Sequence, residues 1–202
     1  MKTTNIAVFA SHSGSGLQAI INACKQKQLP ANVCAVFSNN SGSLALQRAR
    51  DNSIPAFHFS QKVIEDPQQL DNQILATLIK CDAHLIFLSG YLKKLGPAVL
   101  SAYTNRVLNV HPSLLPKYGG KGMYGINVHK AVLDANENET GITIHLVNHN
   151  YDDGEIIAQK HVPIFAGDTP ETLAARVQAE EHVFIVETLN QYISDNLTKI
   201  QA

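Results

Sequence analysis

Short apolar runs alternate with stretches of helical spacing through the first half of the chain. Residues 6–10 form one such run, too short to span a membrane and read as a first strand rather than a secretion signal. After the Ser/Gly loop of residues 11–16, Leu17, Ile20, Ile21 and Ala23 recur along one helical face. Residues 32–38 read as a second strand and residues 43–52 as a helix with Leu44, Leu46 and Ala49 apolar. Residues 54–59 read as a short third strand, where Pro55 suits a sheet edge. Asp66-Pro67 opens a helix whose apolar face is Leu70, Ile74, Leu75 and Leu78, with Ile79 beside it. Residues 84–88 are a fourth strand of buried type, residues 98–103 a short helix, and residues 106–110 a fifth strand. Strand and helix in regular alternation predict a parallel, doubly wound sheet with sites at the C-terminal strand ends.

The second half reads differently. Residues 119–125 are Gly-rich, and residues 127–136 are helical and carry His129. Residues 141–147 alternate as a strand, and a short polar turn separates them from a strand at residues 156–163. So short a connection predicts an antiparallel pair. Thr169-Pro170 caps and opens a long final helix that reaches to about residue 196. The expected fold is therefore α/β and Rossmann-like: a mostly parallel twisted sheet, helices on both faces and an antiparallel C-terminal part, in one domain over residues 1–202.

Composition narrows the function. Lys+Arg 16 against Asp+Glu 17, with no charge block, gives no footprint for nucleic acid or a membrane. Cys24, Cys34 and Cys81 are unpatterned and read as reduced thiols of a cytoplasmic protein. The nine histidines show no metal-ligand spacing: His145 and His149 are four apart, but on a strand and a turn rather than a helix. No metal is expected.

Two stretches hold candidate chemistry. The loop of Gly14, Ser15 and Gly16 runs into a helix N-terminus, where backbone N–H groups favour a phosphate. A plain tight turn of a βα unit fits it equally, and the stretch alone leaves both open. The run Asn109-Val110-His111-Pro112-Ser113-Leu114-Leu115-Pro116 ends the fifth strand. Asn109 and His111, two apart on an extended backbone, project to one side. An amide donor and an imidazole facing one space suit acyl transfer, in which a carbonyl oxygen becomes negative and a leaving nitrogen takes a proton. A capping Asn beside a packed His would look the same. Asp152 and Asp153 lie in a turn before Gly154, as plain turn residues or as a carboxylate that keeps His111 protonated.

That run, followed by Lys117-Tyr118 and by Asp152-Asp153-Gly154, resembles the signature of the folate-dependent formyltransferases. The resemblance covers almost the whole chain, including the loop at 11–17, residues 36–39, 88–97 and 141–145, and residues 162–164 with 167–168. It implies a formyltransferase fold and transfer of the formyl group of 10-formyltetrahydrofolate to the amine of glycinamide ribonucleotide, in purine biosynthesis. It also implies roles. Asn109 would donate to the oxyanion, protonated His111 would stabilise charge and donate a proton, and Asp152 would orient and charge-match His111. Gly14, Ser15, Gly16, Gln178 and Glu181 match positions that hold the ribonucleotide. Leu92, Lys93, Lys94 and Leu95, with Asn109 and with His149, Asn150, Tyr151 and Asp152, match positions around the folate.

The chain also departs from the family's pattern. His12 stands for a usual Gly, and Gly16 for a frequent Asn whose side chain the phosphate loop then lacks. Lys93-Lys94 replaces an Arg-apolar pair, Pro67 falls where some members have Arg, and residues 119–124 resemble a variant branch. Rival readings are a tRNA-directed formyltransferase, which carries a further domain and a basic face; a formyltetrahydrofolate deformylase, which carries an N-terminal regulatory domain; a sugar-nucleotide formyltransferase; and a non-catalytic binding module. The expected partners are small molecules, with the chain a monomer or homodimer.

Overall fold

The structure, a computed structural model, describes residues 3–200. Strands β1 (Thr4–Phe9), β2 (Ala31–Ser38), β3 (Ala56–His58), β4 (Leu85–Ser89), β5 (Val107–His111), β6 (Glu139–Leu146) and β7 (Ile156–Pro163) form one sheet in the order β3-β2-β1-β4-β5-β6-β7. The first five are parallel, and β6 and β7 add antiparallel. The expected short hairpin between β6 and β7 and the edge strand after Pro55 are both present.

The helices are α1 (Ser15–Lys25), α2 (Leu44–Asp51), α3 (Pro67–Lys80), α4 (Pro97–Ala102), α5 (Ile126–Asp134) and α6 (Pro170–Ile200); α2, α3, α4 and α6 start where a side-chain cap or a proline instructs, while α1 and α5 follow glycines. The Ser43 hydroxyl accepts from the Leu46 N–H, and the Asp66 carboxylate from the Gln68 N–H. Helical geometry breaks in α6 at Asn196, close to the expected stop.

Strand alternation splits the core into two layers. Ile6, Val8 and Ala10 pack with α1 and α6 through Leu17, Ile20, Ile185 and Leu189. Ala7 and Phe9 face the other side and meet Ile74, Leu78 and Val99 of α3 and α4. Ile79, read as flanking the apolar face of α3, is exposed.

The chain runs from β1 outward to β3 and then returns to β4 on the other side of β1. The loops leaving β1 and β4 therefore diverge and leave a crevice at the C-terminal strand ends, where doubly wound sheets bind ligands. A backbone bond from Ser11 N–H to Gly90 C=O (3.1 Å) fastens the two loops at their base.

Candidate active site

A cavity of about 900 Å³ opens in that crevice. Its floor holds Asn109, Val110 and His111 from the end of β5. One wall is the β1–α1 loop with Gly14 and Ser15; another is α6 with Gln178 and Glu181. Leu92, Tyr151 and Asp152 close a third side, and residues 120–127 with His129 close the rest.

Asn109 and His111 reach the same space because β5 alternates. Asn109 Nδ2 lies 3.0 Å from His145 Nε2, and His145 Nδ1 lies 2.8 Å from the Leu146 carbonyl. Since a carbonyl only accepts, Nδ1 carries the proton and Nε2 accepts from Asn109. One amide N–H of Asn109 is thereby anchored, which leaves the other for a ligand. His145 is delivered by register, since antiparallel pairing sets it opposite Asn109. Nothing in the sequence fixes that register, so His145 was legible only as a strand residue.

His111 is buried. Its Nε2–H donates to the Tyr118 carbonyl (2.7 Å), and its Nδ1 stands 3.6 Å from Asp152 Oδ2. Asp152 sits in the β6–β7 turn in the left-handed region (φ 52°), which a short polar side chain tolerates. Its Oδ2 accepts the Gly120 N–H (2.8 Å), and its Oδ1 stands 3.6 Å from His145 Nε2. Burial pushes the Asp152 carboxyl up; the Gly120 N–H, together with the His145 and His111 rings whenever they carry a charge, outweighs it and holds the carboxyl below its ordinary range. Asp152 is thus ionised.

The balance at His111 runs against the expectation that Asp152 keeps it protonated. Burial is the largest influence and pushes the imidazole below its usual range; Asp152 and the Tyr118 carbonyl oppose this and lose, with His145 adding to the depression. Burial therefore favours the neutral form of His111 at neutral pH. A carboxylate beyond hydrogen-bonding distance does not offset removal of the ring from water.

Of the residues singled out for the ribonucleotide, Gly14, Ser15, Gln178 and Glu181 line the cavity. Gln178 Nε2 donates to Ser15 Oγ (3.0 Å), which joins α6 to the start of α1. Gly14 caps α1 in the left-handed conformation (φ 66°) and offers no side-chain bond, so the first-turn N–H groups have no side-chain cap. Arg48 lies behind the loop, donating from Nε to the Ser13 carbonyl (2.8 Å) and from a terminal nitrogen to Gln18 Oε1 (3.0 Å). Glu181 has its carboxyl pushed up to about 7 by burial. Gly16 does not reach the cavity; it is buried behind it.

Of the residues singled out for the folate, Leu92 and Tyr151 line the cavity with Asn109 and Asp152. Lys93, Lys94, Leu95, His149 and Asn150 do not. Leu95 is in the core layer beneath β4. Lys94 instead bridges to the β6–β7 turn: its Nζ donates to the His149 carbonyl (3.0 Å) and lies 4.2 Å from the centre of the Tyr151 ring. Residues that sequence reasoning did not single out also line the space, among them Ser89, Tyr91 and His129. His129 is buried, its Nδ1 has no partner among the described residues, and burial pushes it down to about 4. Among the described residues, no three His, Cys, Asp or Glu side chains group closely enough to hold a metal ion, and no helix is long and apolar enough to cross a membrane.

This geometry has relatives. The profile of the formyl transferase family matches residues 4–189. The chain is 39% identical over 198 residues to a chloroplastic phosphoribosylglycinamide formyltransferase of Vigna unguiculata, covering 98% of this chain and 63% of that one. It is 38% identical over 178 residues to the phosphoribosylglycinamide formyltransferase of Escherichia coli (strain K12), covering 88% of this chain and 82% of that one. The chain thus spans less than two thirds of the plant protein's length. The crystal structure of phosphoribosylglycinamide formyltransferase from Bacillus halodurans superposes with a TM-score of 0.89 at 34% identity, covering 96% of this chain and 98% of that chain. With the profile running from the first strand into the last helix around this cavity, the chain belongs to the formyl transferase family.

Proposed function

We propose that the chain acts as a phosphoribosylglycinamide formyltransferase, moving the formyl group of 10-formyltetrahydrofolate to the amine of glycinamide ribonucleotide. The products are N-formylglycinamide ribonucleotide and tetrahydrofolate, within purine biosynthesis. One observation carries the reading: Asn109, His111 and Asp152 share a single cavity with the uncapped N-terminus of α1. One cavity then has a place for an anionic acceptor and a place for a developing oxyanion. The named relatives are consistent with it. A cytoplasmic setting fits the free cysteines, of which burial pushes Cys24 up to about 11 and Cys34 up to about 12.

In this reading the acceptor nitrogen attacks the formyl carbon, and the carbonyl oxygen becomes an oxyanion. The unanchored N–H of Asn109 donates to it. Neutral His111 takes the proton that the attacking nitrogen loses, because negative charge on the oxyanion and on Asp152 both favour the imidazolium. The imidazolium then gives that proton to N10 of the folate as the C–N10 bond breaks. A base that starts neutral is what the first transfer needs, so the depressed His111 suits the reaction. Gly14, Ser15, Gln178 and Glu181 hold the acceptor, and Leu92 and Tyr151 flank the donor.

The test is folate absorbance with the purified chain and 10-formyltetrahydrofolate, with and without glycinamide ribonucleotide. Turnover that requires the ribonucleotide is the expected result. Consumption without it would replace this reading by a hydrolase, and no consumption in either case would leave a different acceptor or a non-catalytic binder.

A further inference from the structure

The carbonyl that takes the His111 Nε2–H belongs to Tyr118, a residue in the left-handed region (φ 56°). A bulky side chain enters that region only where its surroundings hold it there. Two residues further on, the Gly120 N–H reaches Asp152 Oδ2 (2.8 Å), the oxygen that faces His111 Nδ1. Residues 118–120 therefore govern what each ring nitrogen of His111 meets. Between them, a Cβ at Gly119 would stand 2.6 Å from Leu115 Cδ2 and 3.2 Å from Asp152 Cβ, so the segment lies tight against the β6–β7 turn.

The tie on Tyr118 comes from outside the cavity. Its hydroxyl donates to Glu137 Oε1 (2.8 Å), and Lys117 Nζ donates to the same oxygen (2.8 Å). Glu137 lies between α5 and β6, where its own N–H donates to the Val132 carbonyl (3.4 Å). The bonds from Lys117 and Tyr118 hold its carboxyl below the usual range, so it is ionised. The two legs are unequal. The Lys117 side chain is 67% exposed, and such a surface pair contributes little. Tyr118 packs against the core, and its hydroxyl makes a charge-assisted bond. None of Lys117, Tyr118 and Glu137 lines the cavity, so none of them meets a ligand there.

We infer that Glu137 is a positioning residue for His111: through the Tyr118 hydroxyl it sets the Tyr118 carbonyl, which keeps the ring proton on Nε2 and leaves Nδ1 as the nitrogen that accepts a proton. A neutral imidazole has one bare nitrogen, and only that nitrogen is a base. Should the Tyr118 carbonyl withdraw, Nε2 loses its acceptor, while the Asp152 carboxylate, 3.6 Å from Nδ1, favours a proton on Nδ1 instead. The ring then shifts toward the other tautomer, whose bare Nε2 points at Tyr118 and away from Asp152. The effect on rate rests on the proposed reaction; the tautomer does not.

The experiment reads the ring first and the reaction second. Nitrogen NMR of the unliganded full chain, isotopically labelled at histidine and assigned by the signal lost in His111→Gln, should show His111 with a protonated Nε2 and a bare Nδ1. Tyr118→Phe removes only the hydroxyl, and Glu137→Ala removes its acceptor. Each should draw the two nitrogen shifts toward one another as the tautomers mix. Glu137→Gln keeps an oxygen for the hydroxyl and should restore most of the parent pattern. In steady-state formyl transfer, Tyr118→Phe and Glu137→Ala should each lower kcat about three- to tenfold, near the worth of one hydrogen bond, with both KM values close to the parent's. The double variant should lose no more than the larger single loss, because one chain of contacts is cut twice. Parent-like nitrogen shifts in Tyr118→Phe and Glu137→Ala, or parent-like kcat where the shifts have moved, would overturn the inference. Tyr118→Phe keeps the ring and the carbonyl, so the test survives a Glu137→Ala chain that fails to fold. The NMR arm needs no turnover and decides the tautomer even if the parent transfers no formyl group, a failure that would count against the proposed function alone.

Discussion

Asn109 has two amide protons, and the fold uses one of them to aim the other. His145 Nε2 takes the first at 3.0 Å, and the Leu146 carbonyl fixes the tautomer that lets it do so. In the proposed reaction Asn109→Ala removes the oxyanion donor and should lower kcat about 10²- to 10³-fold, as loss of one such donor does elsewhere. Stopped-flow or steady-state formyl transfer checks this, with circular dichroism to show an unchanged fold. His145→Leu keeps Asn109 but frees its amide to rotate. It should lower kcat about tenfold, near the worth of one hydrogen bond, and His145→Gln should lower it less because an acceptor is kept. Equal activity in His145→Leu and the parent would mean that packing alone orients Asn109. The sequence made Asn109 and His111 legible because period-two spacing on a strand is a local property. It left His145 illegible because its pairing with Asn109 depends on where a hairpin thirty-odd residues away closes. The downward push on His111 was illegible for a related reason: proximity to Asp152 can be guessed from a motif, whereas depth of burial is set by the whole packing.

At the scale of elements, the β6–β7 turn is the piece whose position matters most, since it carries Asp152. Three ties hold it. The Asp152 carboxylate takes the Gly120 N–H, Lys94 reaches the His149 carbonyl, and the Lys94 ammonium sits over Tyr151. Lys94 comes from the β4–α4 loop, so that loop and the β6–β7 turn are joined. Lys94→Met keeps the alkyl stem and removes the charge. It should speed hydrogen exchange of the Gly120 amide about two- to fivefold in the unliganded chain, the range expected for an exposed cation–π contact. Exchange at Gly120 indistinguishable from the parent would show that the Asp152 bond holds the turn unaided. The elements themselves were readable from local signals: Asp66-Pro67 and Thr169-Pro170 opening helices, and alternation in β6. The tie was not. A Lys-Lys pair in a loop is ordinarily solvated, and only the folded arrangement shows that the second lysine faces the turn rather than the donor. Leu95 fails as a site residue on the same ground, because the loop turns it into the core.

Over the whole molecule, α6 is the element that draws the cavity and the core together. It packs on α1, α5 and β7, closes one wall of the cavity, and joins the start of α1 through Gln178 and Ser15 across 163 residues of sequence. Glu181 lies where that helix crosses the cavity, and burial pushes its carboxyl from an ordinary 4.5 up to about 7. Between those two values the folded chain holds a proton that the unfolded chain has released. Folding stability must then fall as pH rises through this window and stay lower above it. The shift sets an upper limit of about 3 kcal/mol on that loss, and partial contact with solvent brings the expected loss nearer about 1 kcal/mol. Glu181→Gln removes the charge and keeps the shape. It should stabilise the unliganded chain by about 1 kcal/mol at pH 8 and leave stability at pH 4 unchanged, read by denaturant melts at both values. A variant less stable than the parent at pH 8 would mean that the ionised carboxylate already has favourable partners. If the gain is found, the parent keeps an unfavourable buried charge on a wall of the cavity, where the proposed reaction places the acceptor. A folded chain retains such a group where binding depends on it, so the same variant should bind glycinamide ribonucleotide more weakly at the pH where it is more stable.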